Sequence, residues 1–427
     1  MRRTTDTGKY NRAQSGRGYV LLQSLIAIAG LLALMAMLST DTQSFTGVVQ
    51  NHLRLRRADA AAEAAVNRAM ASIANATPAD VTLNDDWALQ GANGNEEFQF
   101  QDRSADYRME IVDLGSAINL NTATAAQLEE LPLTQSQVDS LEDWIEPGET
   151  ARDDGAKDAY YNGLTPPYNA KLAPLTTLDE VLEVQGWTPA TIYQVPTNTT
   201  TLTLPTDQSG NTMPIANFLT AQNSAPNVSA TGGALINLNN RAGATTAMQL
   251  QALGLSRQSA AAIAARMPLA SFAAMGAVNG LSRQDWVNLL NNVTFSTATT
   301  VSGKYNLNTV SSTVLSTLPN VSTAEASAIT QQQSSGYTQL GDLANVSGLS
   351  TGQLSQIADY FTVGSSEWMV HAYGESGGVG ESLEAIVANK SGVVSLVSLQ
   401  RIATGQPPLW WGWSTQTPTI QDSEESQ

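Results

Sequence analysis

Between Tyr19 and Leu38 the chain carries no charged residue, and only Gln23 and Ser24 interrupt the apolar run with polar side chains. A helix of about 20 such residues is what crossing a bilayer core requires. Ahead of it stand Arg2, Arg3, Lys9, Arg12 and Arg17 against a single Asp6. Positive flanks are retained in the cytoplasm, so everything beyond Ser39 is expected on the far side of the membrane. A cleavable secretory signal places a small-residue site after its apolar region. Here no Ala-x-Ala site stands out at the far end, and Gly18 lies before the run.

Residues 41–75 contain no proline and a single glycine, with apolar residues at helical spacing, including Val48, Val49, Leu53, Ala60, Ala64, Val66 and Ile73. The pattern predicts that the membrane helix continues as an amphipathic shaft. From Phe98 to Val112 apolar residues alternate with polar ones around 102–106, which predicts two strands. Three more strands are predicted at Trp368–Gly374, Ser382–Ala388 and Val393–Arg401. The glycine-rich stretch from Gly374 to Ser382 has no phosphate-loop lysine and reads as a hairpin turn.

The middle of the chain repeats itself. Ile118-Asn-Leu-Asn121, Ile236-Asn-Leu-Asn239 and Tyr305-Asn-Leu-Asn308 each open a copy. Each copy closes on one spacing: Leu175, Leu178, Val181, Val184, Gly186; Leu269, Phe272, Met275, Val278, Gly280; Tyr337, Leu340, Leu343, Val346, Gly348. Such self-similarity marks repeated helical units. Asn or Thr at each opening suits a helix N-cap, and the closing glycine suits a turn. The second Asn and closing Gly lie 65 residues apart in the first copy (186 − 121), 41 in the second (280 − 239) and 40 in the third (348 − 308). The first copy therefore holds an insertion between Trp144 and Leu175. Residues 196–234, rich in Thr, Asn, Ser and Pro, read as a polar linker or long loop.

The chemistry offered is sparse. Zero cysteines exclude disulfides and thiol catalysis, and neither His52 nor His371 has a nucleophile partner in the pattern, so no enzyme is predicted. A net charge of −17 opposes general nucleic-acid binding. The repeats resemble helix-hairpin-helix modules, which hold DNA in other proteins. The first copy, however, has Glu129, Glu130, Asp139, Glu142 and Asp143 with no cation between Ile118 and Trp144. Only the second, with Arg241, Arg257, Arg266 and Arg283 against Asp285, has the charge for DNA. The insertion gathers Glu146, Glu149, Asp153, Asp154 and Asp158 beside Gly148 and Gly155, a candidate set for Ca²⁺, which takes six to eight oxygen ligands.

The basic leader, Gly18 and the retained apolar run resemble a type IV prepilin, with one departure: the fifth residue counted from Tyr19 is Gln23, where most pilins have Glu. With the Ile118-Asn-Leu-Asn-Thr junction, Asp143-Trp-Ile-Glu-Pro, Asp158-Ala-Tyr-Tyr-Asn-Gly-Leu and Ser382-Leu-Glu-Ala-Ile-Val, the chain resembles the K-type minor pseudopilins of type II secretion systems. The resemblance implies peptidase cleavage between Gly18 and Tyr19, a single-pass anchor in the bacterial inner membrane, and a periplasmic body. It also implies I- and J-type pseudopilins as partners at a pseudopilus tip, contact with secreted substrates, and calcium as in some members. The expected fold is α+β: a long N-terminal transmembrane and amphipathic helix, a pilin-like antiparallel sheet, and an inserted α-helical domain of helix-hairpin-helix-like repeats. The expected order is leader 1–18, helix 19–75, first sheet part 76–117, first repeat with its acidic insertion 118–195, and linker 196–234. Repeats two and three (235–362), C-terminal strands (363–405) and a tail (406–427) follow, the tail loose apart from Trp410, Trp411 and Trp413, which are expected to pack against the sheet. Two other readings share the N-terminus: a type IV pilus tip protein or adhesin, and a DNA-uptake pilin.

Overall fold

The computed structural model describes residues 15–91, 93–101, 103–197, 202–241, 243, 245–413 and 419–422; the leader cations Arg2, Arg3, Lys9 and Arg12 lie outside them. It divides into two units, Met1–Arg56 and Arg57–Gln427.

Helix α1 spans Ser15–Ile73, so it begins four residues before the expected Tyr19. Its stretch Gly18–Ser39 has a mean hydropathy of 2.3 and is wholly exposed, long and apolar enough to span a membrane. The part of α1 in the second unit presents Ala61, Ala62, Ala65, Val66, Ala69 and Ile73 on one face, all buried. The small side chains let a sheet approach closely.

That sheet consists of β1 (Glu96–Gln99), β2 (Asp106–Asp113), β3 (Glu367–Ser376), β4 (Val379–Lys390), β5 (Val393–Ile402) and β6 (Thr419–Asp422), in the order β5-β4-β3-β2-β1-β6. All pairs are antiparallel except β1 with β6. Period-two alternation sends Tyr107, Met109, Ile111, Trp368, Val370, Ala372, Leu383, Ala385 and Val387 into one core with α1. Gly374 lets β3 touch the helix: a Cβ there would run into the Ala58 carbonyl and the Ala62 amide. The expected hairpin forms between β3 and β4, with Gly377 and Gly378 both at positive φ.

β2 and β3 are neighbours, with Trp368 opposite Asp113, although residues 114–366 lie between them in sequence. The whole repeat region is thus inserted between two adjacent strands, and it builds its own core from Ile118 to Val363.

The three openings adopt one geometry. Ile118–Asn119 pairs in parallel with Leu219–Thr220, Ile236–Asn237 with Val293–Thr294, and Tyr305–Asn306 with Phe361–Thr362. In each, the first Asn turns its carbonyl oxygen back to the amide of the second, at 3.0, 2.8 and 3.0 Å. The second Asn reaches the closing string: Asn121 Oδ1 accepts from the Leu175 amide at 2.7 Å, and Asn308 Oδ1 from the Tyr337 amide at 2.7 Å. The expectation of Asn helix caps is therefore corrected. These side chains clasp the two ends of a repeat, while Thr124 and Ser311 do the capping one turn later. The closing glycines Gly186, Gly280 and Gly348 all take positive φ, which their missing Cβ permits.

Two further expectations are corrected. Within 196–234, Ile215, Phe218 and Leu219 are buried in the repeat core and Ser224–Pro226 pairs with Thr300–Ser302. The stretch returns to close the first repeat, because the two-residue strand at 118–119 needs a partner for its main chain. The tail from 406 is also fastened. Trp411 and Trp413 pack with Tyr373 of the sheet as expected of the tail tryptophans, and beyond them, against expectation, β6 pairs with β1.

Asp113 ties sheet to repeats. Its buried carboxylate accepts from the Gly115 amide (2.8 Å), Asn306 Nδ2 (2.9 Å) and Thr309 Oγ1 (2.6 Å). Burial pushes its pKa up, opposed by these donors.

Candidate functional site

Gly18, Tyr19 and Gln23 all lie on α1 and are exposed, Tyr19 at 62%. Further along, Phe45, Val48, Val49 and Leu53 are exposed apolar residues at helical spacing. This unit thus offers two apolar surfaces, the membrane-length run and a shorter stripe.

The acidic insertion follows helix α2 (Gln135–Ile145), which starts with a Thr134–Gln137 capping box. Its last turn and C-cap carry Glu142, Asp143 and Glu146, three carboxylates where the helix dipole is already negative. Two cations from the insertion answer them. The Arg152 guanidinium meets Glu142 (2.9 Å), Asp143 (2.7 Å) and Glu146 (2.7 Å), and the Arg152 amide donates to the other Asp143 oxygen at 3.0 Å. The Asp143 side chain is fully buried. Lys157, only 5% exposed, donates from Nζ to the main-chain oxygens of Asp143 (2.5 Å) and Glu146 (2.7 Å). Burial pulls the Arg152 pKa down, but the Glu146 and Asp143 carboxylates outweigh it, and the net direction is up. For Glu142 burial wins over Arg152 and the pKa is raised.

Of the five residues expected to bind calcium, Glu146 is taken by Arg152, and Asp158 accepts from the Ala170 amide at 2.8 Å. Glu149, Asp153 and Asp154 are exposed. The structure does not bring the five together: among the described residues no three His, Asp or Glu converge as a metal site. Arg152 and Lys157 were missed by a reading that counted carboxylates. The available signal was that they and Lys171 are the only cations from Gly115 to Lys171. An aromatic group seats the loop, with Tyr161 5.2 Å from Trp144 and 5.3 Å from Tyr168.

The basic set of the second repeat is partly consumed. Arg283 donates to the Ala344 and Leu349 carbonyls of the third repeat, while Arg241, Arg257 and Arg266 are exposed. His371 lies on β3 with Nδ1 3.0 Å from Glu110, stacked on Trp411, an arrangement without a nucleophile.

The segment carrying the first clasp, α2 and the two cations matches a known family: residues 115–202 fit the sequence model of type II secretion system protein K, first domain. This segment is similar to the type II secretion system protein K family. The family segment starts two residues after β2 ends and spans the acidic loop. No curated protein matches the chain. Among solved structures, a chain in the crystal structure of the GspK-GspI-GspJ complex from the enterotoxigenic Escherichia coli type 2 secretion system is similar at 12% identity. The match covers 85% of this chain and 99% of that one, with a TM-score of 0.42.

Proposed function

We propose that the chain is a non-enzymatic minor pseudopilin, processed after Gly18 and anchored in the inner membrane by α1, with its body in the periplasm. It sits at the tip of a type II secretion pseudopilus and initiates assembly there with I- and J-type pseudopilins. The observation that carries the reading is a protein K segment inserted between adjacent strands of a sheet backed by α1, the helix whose N-terminal part is apolar enough to span a membrane. The tip assignment rests on charge and bulk. A carboxylate at the fifth mature position can neutralise a neighbour's free N-terminal amine in apolar surroundings, where an unpaired charge is expensive. Gln23 cannot, so the subunit is poorly suited to joining beneath an existing one. The 114–366 insertion opposes a subunit stacked above.

Affinity purification of the natively expressed chain, with mass spectrometry of its N-terminus, tests the reading. A mature end at Tyr19 and co-purifying I- and J-type pseudopilins are expected. An intact Met1, or type IV pilus subunits in their place, overturns it. Gln23→Glu should allow incorporation below the tip; unchanged placement would leave bulk alone as the determinant.

A further inference from the structure

We infer that Lys157 and Arg152 are built-in counter-cations of the acidic loop, doing for this chain what a bound calcium ion would do, so that the loop folds independently of calcium. The oxygens that the structure gathers at the end of α2 are the main-chain oxygens of Asp143 and Glu146 and the carboxylates of Glu142, Asp143 and Glu146. Lys157 Nζ lies against the first two, at 2.5 and 2.7 Å. The Arg152 guanidinium bonds all three carboxylates at 2.9 Å or less. A calcium ion there would have to displace a nearly buried ammonium and a threefold-bonded guanidinium, against their like charge. The remaining space is closed from the loop side. Gly155 lies so near the Asp143 carboxylate that even a Cβ would overlap it, and Ala156 beside it is buried. Asp158, the last of the acidic run, is committed to the Ala170 amide at 2.8 Å. Glu149, Asp153 and Asp154 are exposed and stay hydrated.

Chemically the exchange is balanced. Two fixed monocations supply the charge of one divalent ion, and their N–H groups meet the oxygens that Ca²⁺ would coordinate. What changes is dependence on the surroundings, since a covalently attached cation has no dissociation equilibrium with free metal.

Hydrogen exchange read by mass spectrometry on the full-length chain in detergent micelles tests this. With EGTA or with millimolar CaCl₂, the peptides covering residues 143–172 should show the same protection in the wild type. Lys157→Gln should raise exchange of those peptides about tenfold or more in EGTA, as expected when a buried charge-assisted contact is lost. Arg152→Gln should do the same, while peptides from β3 and β4 stay unchanged and report that the rest is folded. Wild-type protection that appears only with calcium overturns the inference, as does Lys157→Gln exchanging like wild type in EGTA. The wild-type comparison needs no variant to fold. Its outcome is also independent of whether I- and J-type partners are found.

Discussion

Substituting the second Asn of each repeat by Ala should give three different results, although the sequence motif is the same. In the third copy Asn308 is 3% exposed, and its side chain serves both the Tyr337 amide (2.7 Å) and the Tyr337 carbonyl (3.0 Å), with Tyr337 itself fully buried. Ala leaves a buried donor and a buried acceptor unpaired, each at roughly 1–2 kcal/mol, so about 2–4 kcal/mol is expected. In the first copy Asn121 is half-buried and bonds the Leu175 amide and carbonyl and the Ala221 carbonyl, so water reaches part of what is lost. About 1–3 kcal/mol follows there. In the second copy Asn239 is exposed, and the Leu269 amide is held instead by the Leu238 carbonyl at 2.9 Å. Its loss should stay below about 1 kcal/mol. Exchange of the first amide of each closing string reads the effect locally. With a tenfold change per about 1.4 kcal/mol, the Tyr337 amide should exchange roughly 30- to 900-fold faster in Asn308→Ala. The Leu269 amide in Asn239→Ala should change less than about fivefold. Equal acceleration in all three copies, or none at Tyr337, would refute the clasp reasoning and make the Asn residues ordinary turn formers.

Gly374→Ala should destabilise the α1–sheet core by about 1–3 kcal/mol, since backbone atoms of α1 have to move to admit a methyl group. Gly352→Ala, where a Cβ meets nothing closer than 3.9 Å, should be neutral or stabilising by up to about 1 kcal/mol; denaturant midpoints of the two variants decide it. Burial pushes the Tyr161 phenol up to about 12 from the ordinary 10.0. Between those values the unfolded chain has released this proton while the folded chain keeps it, so stability falls as pH rises through that window and the contribution is whole below it. Tyr161→Phe should flatten this alkaline slope in denaturation measured across the window; an unchanged slope would assign it to other tyrosines.

How much of this was legible before any coordinates depends on the range of the interactions. The apolar run from Tyr19 to Leu38 specified a membrane-length helix because hydropathy and length are local properties. The repeats were legible because spacing is one-dimensional: the closing glycines all adopt the positive φ that their places implied. Strand alternation placed β2 to β5 to within a few residues. The stretch 196–234 misread as a linker because its composition is that of a loop; only pairing with Ile118–Asn119 gives Leu219–Thr220 its strand.

The acidic loop is the sharper case. By itself the sequence determined the ingredients: carboxylates clustered around the end of a helix, two cations within the same stretch, and glycines to bend the chain. It could not decide which charges meet. Charge pairing depends on ångström distances between side chains that sequence separates by up to ten positions, as for Glu142 and Arg152. The tertiary structure placed the Lys157 ammonium on the open carbonyls of α2 and spread Arg152 across three carboxylates. It did so because a buried negative helix end must be neutralised, and cations on the same loop are there as soon as it folds.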